Sequence, residues 1–222
     1  MGQEKPILDL EQDTENSGDL PAHILHPPPL LIVLSGASGV GKDACVNRLK
    51  ELGAPFHFVV TVTTRPKRPN EVDGVDYHFI SVEEYQSLLE RGELLEHATV
   101  YGHFYGVPKQ QVREAWARGQ DVLLRIDVQG AATIKKIAPG AVLIFLAPSS
   151  TDELMRRLVA RRTEAGIDLE RRMATAREEM KQIPKFDYVA INRDDQLDEA
   201  ARQIMAILAA EKCRVHPRRV NL

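Results

Sequence analysis

The chain has 222 residues, with 29 Lys+Arg against 32 Asp+Glu, a formal net charge of -3, and 43% hydrophobic residues. At about 150 residues per domain this length predicts one domain or one domain with an insertion. The mild acidity argues against a bulk nucleic-acid binder without excluding a local basic cleft, and the composition is that of a globular chain with a large core.

Residues 1–29 read as a tail: acids outnumber bases, no period appears, and the stretch ends in Pro27-Pro28-Pro29, so disorder is expected. Leu30 to Leu34 reads as a buried strand entering a glycine-rich loop, and a helix follows over 43–52, stopping near Gly53. Alternation across 57–62 predicts a second strand. Residues 63–79, charged and broken by Pro66, Pro69 and Gly74, read as loop and short strands. Ser81 to Glu84 is a capping box opening a helix with Tyr85, Leu88 and Leu89 on one face.

Short β pieces are expected over 94–107, then Pro108 in the first turn of a helix reaching Arg118. A strand ends in Asp127, a short helix occupies 130–138, and another strand 141–146. Ser150 to Glu153 is a second capping box, opening a helix with Leu154 and Leu158 on one face. A charged helix over 168–182, a strand over 187–191 and a last helix over 196–211 follow, and the basic residues from Lys212 on read as a frayed tail. Strand–helix alternation predicts an α/β fold with a parallel core sheet. Its core would be 30–62, 109–160 and 171–211, interrupted by an insertion at 63–108 and a mobile flap at 161–170.

Cys45 and Cys213 supply no disulfide framework and no metal spacing, and read as free thiols of a reducing compartment. With no apolar run near the ~20 residues of a membrane span and no signal pattern, a cytoplasmic protein without nucleic-acid or membrane partners is expected.

The strongest chemical signal is Gly36-Ala37-Ser38-Gly39-Val40-Gly41-Lys42, a GxxxxGK loop between a strand and a helix. Such a loop turns backbone amides towards phosphate oxygens, and the helix behind it adds its positive end. Lys42 would bridge the β- and γ-phosphates of a nucleoside triphosphate. Asp43 and Ala44 stand where Ser or Thr usually supports Mg²⁺, so Asp43 is a candidate metal ligand that also brings negative charge near the phosphates. Asp127, at a strand end, is a second candidate for holding Mg²⁺ or its water shell, or else a helix cap.

In chain order, the phosphate loop, Thr63-Thr64-Arg65-Pro66-Lys67-Arg68-Pro69-Asn70-Glu71, Val75 to Phe79, Glu96, Tyr105-Gly106, Ile126 to Gly130 and Arg157 to Glu164 resemble the motifs of guanylate kinases. The resemblance covers about 30–211. It implies a three-layer phosphate-loop kinase fold with an inserted monophosphate-binding subdomain and a mobile lid. It also implies direct phosphoryl transfer from ATP to GMP with Mg²⁺, in purine nucleotide metabolism. On this resemblance Gly36 to Asp43 and Asn192 bind ATP, and Lys42, Arg157, Arg161 and Arg172 surround the transferring phosphates. Thr61, Arg65, Arg68, Glu71, Tyr77, Glu96, Tyr105 and Asp127 form the GMP side. Arginine forks and tyrosine hydroxyls suit phosphate oxygens, and a carboxylate at Glu96 can accept from the N1–H and amino group of guanine.

Three departures from the family pattern bear on selectivity. Asp43-Ala44 lacks the usual hydroxyl, Arg125 replaces an acid two residues before Asp127, and Val107 replaces a Ser or Thr that often touches guanine. Arg125 is expected to pair with Glu96 or Asp127, or to add a phosphate contact. A kinase of another small phosphate such as ribose 1,5-bisphosphate stays open, as does a non-catalytic phosphopeptide-binding module.

Overall fold

The computed structural model describes residues 20–160 and 169–220. A five-stranded sheet forms the centre, in the order β2 (Phe56–Phe58), β7 (Asp121–Arg125), β1 (Leu31–Gly36), β8 (Val142–Ala147) and β9 (Tyr188–Ile191). Every pairing in it is parallel. The continuous apolar runs of β1 and β8 are buried along their whole length, as strands covered on both faces must be.

On one face lie α2 (Lys42–Glu51) and α8 (Leu197–Lys212), whose Cys45, Leu49, Ala201, Ile204 and Leu208 pack with Ile32, Leu34 and Ile144. On the other lie α4 (Lys109–Ala117) and α5 (Val128–Ile137), which bring Val112, Ala115, Ala131 and Ile134 against Leu31, Val33 and Leu124. Trp116 packs at the margin of this second cluster. These layers make a three-layer α/β fold.

A second sheet, ordered β4 (His78–Phe79), β3 (Val62–Thr63), β6 (His103–Pro108) and β5 (Leu94–Val100), lies between β2 and α4 in the chain. It packs Val62 and Leu94 on Tyr85 of α3 (Val82–Glu90). The segment read as one strand over 57–62 is divided between the two sheets. At Val60 the side chain of Gln111 replaces both ladder partners, accepting from the amide at 3.0 Å and donating to the carbonyl at 2.9 Å. The chain can therefore leave one sheet for the other without stranding polar backbone.

The serine half of each expected capping box forms: Ser81 Oγ accepts from the Glu84 amide, and Ser150 Oγ from that of Glu153, whose own carboxylate accepts from the Ser149 amide instead of returning to Ser150. Leu89, however, faces solvent, and α3 is anchored by Tyr85 with Leu88. Pro108 ends β6 and precedes α4 instead of lying inside it. α6 (Thr151–Ala160) buries Leu154 and Leu158, and α7 (Leu169–Met180) precedes β9.

The two ends differ from expectation. Residues 1–19 lie outside the described residues, but Ala22–Leu25 form a one-turn helix, α1. The basic segment after α8 is tied down. Buried Glu211 accepts from Arg218 at 3.0 Å and from the Tyr188 hydroxyl at 2.6 Å, and Val220 packs on the core. A carboxylate buried at the end of a helix needs such donors, and the basic residues just beyond the helix supply them. Cys45 is buried and Cys213 exposed, both free.

Candidate active site

Gly36 to Lys42 connects the end of β1 to α2. A Cβ on Gly36 would stand 2.2 Å from the Leu146 carbonyl oxygen of β8, so the loop can leave the sheet here only without a side chain. Gly41, the N-cap of α2, has φ 97°, a left-handed value suited to glycine, and leaves room for the buried Asn192 amide. Asn192 donates to the Val40 carbonyl at 2.8 Å. Lys42 folds back over the loop, with Nζ 2.7 Å from the Gly36 carbonyl oxygen. Burial holds its pKa below the usual lysine value, against the pull of Glu179, Asp43 and Asp127.

Lys42 lines a cavity together with Asp43, Tyr77, Glu96, Tyr105 and Asp127. The cavity therefore spans the phosphate loop, the end of β7 and the second sheet. Thr61 also lines it, and its buried hydroxyl has no partner among the described residues. Glu96, on β5, is 3% exposed, and its Oε1 likewise lacks one. Burial, then the charge of Asp127, pushes the Glu96 carboxyl up to about 8. Gly130 lets α5 come this close, since a Cβ there would stand 2.8 Å from the carboxyl carbon of Glu96.

Asp127 caps α5: its Oδ1 accepts from the amides of Gln129 and Gly130, both at 2.8 Å. The capping role thus coexists with a place in the cavity wall. Arg65 is 8% exposed and paired with Glu71 through two hydrogen bonds, at 2.8 and 3.0 Å. Burial opposes both charges, but the pairing outweighs it and holds the Glu71 carboxyl below its usual range. The Arg68 amide also donates to Glu71, at 2.8 Å. Arg65, Arg68 and Glu71 are absent from the cavity lining. The Arg65 guanidinium lies 5.3 Å over the ring of Tyr77, and the rings of Tyr77 and Tyr105 are 6.1 Å apart.

One expected pairing is corrected, and the remaining residues are placed as follows. Arg125 pairs with Asp43, 2.8 Å away, not with Glu96 or Asp127. Asp43 therefore stands against a cation, which cancels the negative charge that it brings to the loop. Arg157 does not line the cavity containing Lys42. It reaches the Val40 carbonyl at 2.9 Å, the Asn192 carbonyl at 2.9 Å and Asp194 at 3.0 Å, and it also pairs with Glu153. Four of its five N–H hydrogens are thereby engaged in tying α6 to the loop and to the segment after β9. Val107 is fully buried in the core and absent from the cavity wall. Arg172 sits on α7 with its Nε unpartnered among the described residues, and Arg161 falls in 161–168, outside them.

Two polar cavity residues escaped the sequence reading. Glu179 Oε2 accepts the Ser38 amide of the loop at 2.6 Å, and burial raises its pKa. Its spacing of seven residues from Arg172, two turns along one helix face, was the available signal. Tyr101 sits at a hairpin tip with φ 50°, and its buried hydroxyl lacks a partner among the described residues. No periodic pattern marks it.

A phosphate loop on a parallel sheet, facing a pocket with a buried carboxylate and paired tyrosines, defines a phosphotransferase of the phosphate-loop class. Comparison with known proteins narrows this. The guanylate kinase family model matches residues 29–211. The chain is 50% identical over 197 residues to guanylate kinase 2, chloroplastic/mitochondrial, of Oryza sativa subsp. japonica, covering 88% of this chain and 69% of that one. It is 43% identical to a guanylate kinase of Clostridioides difficile, covering 84% and 90% respectively. A crystal structure of guanylate kinase from Anaplasma phagocytophilum superposes with a TM-score of 0.70 at 34% identity, covering 85% of this chain and 88% of that one. The chain belongs to the guanylate kinase family.

Proposed function

We propose that the chain transfers the γ-phosphoryl group of ATP to GMP, giving ADP and GDP. An oxygen of the GMP phosphate forms the new P–O bond as the bond from the γ-phosphorus to the ADP oxygen breaks. No protein nucleophile is needed, and the work of the site is alignment and charge neutralisation. The observation that carries this reading is the shared cavity: Lys42 of the loop and the buried carboxyl of Glu96, whose Oε1 has no partner among the described residues, line the same space. Once ionised, Glu96 accepts from the N1–H and amino group of guanine, a donor pair that adenine lacks. Thr61 offers the base a hydroxyl, while Tyr77 and Tyr105 offer hydroxyls to the acceptor phosphate, with Arg65, Arg68 and Glu71 bracing them.

On the donor side, Gly36 to Asp43 would cradle the ATP phosphates and Asn192 would border the adenine, with Arg157 holding both segments together. Residues 63–108 would act as the acceptor-binding insertion and 161–170 as the lid, bringing Arg161 and Arg172 to the phosphates. Among the described residues no group of three His, Cys, Asp or Glu could hold a metal. Mg²⁺ takes one or two carboxylates plus substrate phosphates. Asp127 fits such a site, Asp43 less so because Arg125 already engages it. Bound there, Mg²⁺ would neutralise charge on the donor phosphates. Among the described residues no helix is long and apolar enough to cross a membrane.

The test is ADP release with ATP, Mg²⁺ and GMP, dGMP, AMP, UMP or ribose 1,5-bisphosphate in turn. GMP is expected to lead, and Lys42→Ala to lower its turnover by roughly 10³-fold. Turnover of ribose 1,5-bisphosphate alone, or no turnover with retained phosphopeptide binding, would overturn the reading.

A further inference from the structure

Two of the residues that depart from the family pattern meet in space. Asp43, one residue past the loop lysine, and Arg125, at the end of β7, form an ion pair 2.8 Å long. A second guanidinium nitrogen of Arg125 donates to the Asp76 carbonyl at 2.6 Å, and its central carbon lies 4.3 Å over the ring of Tyr77. Arg125 thus joins three elements: the donor loop's helix, the core strand β7 and the acceptor segment. Only 9% of its side chain is exposed. Burying a guanidinium so deeply is costly unless its hydrogens are used, and these two bonds employ two of the five.

Charge around the cavity gives the reason for this arrangement. Four carboxyl groups, Asp43, Glu96, Asp127 and Glu179, line it beside two cationic side chains, Lys42 of the donor loop and Arg125 at the end of β7. Among the described residues Arg125 is the one arginine in that wall, whereas Arg65 is absent from it, bound to Glu71. Both guanidiniums lie over the same ring, Tyr77, at 4.3 and 5.3 Å. We propose that Arg125 binds the phosphate of the acceptor nucleotide beside Tyr77, and that Asp43 is a positioning residue that holds its fork in place. This inference rests on the kinase reading above, and it explains why the two substitutions occur together: Asp43 alone would repel phosphate, and Arg125 alone would be a buried, unpaired cation.

The experiment compares GMP, guanosine and a non-hydrolysable ATP analogue by calorimetric titration, using wild type, Arg125→Met, Arg125→Lys, Asp43→Asn and the double variant Asp43→Asn/Arg125→Met. Thermal melting checks that each is folded. Arg125→Met is expected to weaken GMP about 10- to 100-fold while guanosine changes less than about threefold, and the double variant, which also removes the stranded carboxylate, to keep the ATP analogue within about threefold of wild type. Lysine should recover part of the loss. Asp43→Asn should raise the KM for GMP more than it lowers kcat, and should add nothing in the Arg125→Met background. Equal weakening of GMP and guanosine, weakening of the ATP analogue alone, or no weakening at all would overturn the assignment. Failure of wild type to phosphorylate GMP would instead sink the kinase reading, so the two failures are distinguishable.

Discussion

On the donor side of the cleft, the Val40 carbonyl receives both Arg157 and Asn192, and Lys42 is already bonded to the loop it serves. On the acceptor side, Glu96 Oε1, the Thr61 hydroxyl and the Tyr101 hydroxyl are buried without partners among the described residues. On the donor side Ser35 Oγ and Arg172 Nε are likewise unpartnered among the described residues. The phosphate loop is nonetheless held in shape by the protein itself, which lowers the entropic cost of receiving a triphosphate. The acceptor pocket keeps polar groups whose burial is offset only when a ligand supplies the missing hydrogen bonds. A pocket of that kind discriminates strongly, because a wrong base leaves those groups unpaired.

The sharpest way to break this contrast is to disrupt the donor side's internal bonds. Arg157→Met should cost about 3 kcal/mol of stability in denaturant titration, because buried Glu153 loses its partner. The ATP KM should rise, while a GMP effect as large as the ATP effect would contradict the division between sides.

Next in size is Glu96→Gln, expected to lower kcat/KM for GMP about 100-fold while the ATP KM stays within about twofold. The same variant tests the buried charge. Glu96 is pushed up to about 8 from an ordinary value of 4.5, so between those pH values the folded chain keeps a proton that the unfolded chain has lost. Its stabilising contribution is therefore full at low pH and fades as pH rises through about 8. Wild type should lose stability relative to Glu96→Gln across that window, by an amount on the order of a few kcal/mol at most. GMP affinity should rise over the same window in wild type, since the base-binding form is the carboxylate, and stay flat in the variant. Parallel melting curves from pH 5 to 9 would rule this out.

The mildest change is Gly130→Ala. Its Cβ would press on the Glu96 carboxyl from α5, and a shift of a few tenths of an ångström should raise the GMP KM about tenfold with little change in stability. An unchanged KM would mean that the carboxyl need not sit where it does.

Much of this was legible in the sequence. The apolar runs of β1 and β8, the glycine loop between a strand and a helix, and the Ser81 and Ser150 caps follow from periods and spacings that local chemistry dictates. The passage from β2 to β3 was not legible, because alternation over 57–62 is compatible with one strand, and only Gln111, some fifty residues on, ends it. Leu89 has the right period for α3 but nothing packs over it. In the site, the acceptor residues could be proposed from the resemblance to guanylate kinases, whereas Arg157's commitment to Val40, Asn192, Asp194 and Glu153 depends on segments that are distant in the chain.

The sequence by itself determined the class of fold, the anion-binding loop and the two unusual residues at 43 and 125, since each is a property of residue type and local order. Only the tertiary structure decided that those two residues neutralise one another, that Glu96 is buried enough to hold its proton near neutral pH, and that Glu179 reaches the loop amide. The physical reason is that charge and burial depend on what approaches from elsewhere. A carboxylate's neighbours in space are set by the packing of β7, α5 and α7 against the loop, and no local pattern encodes them.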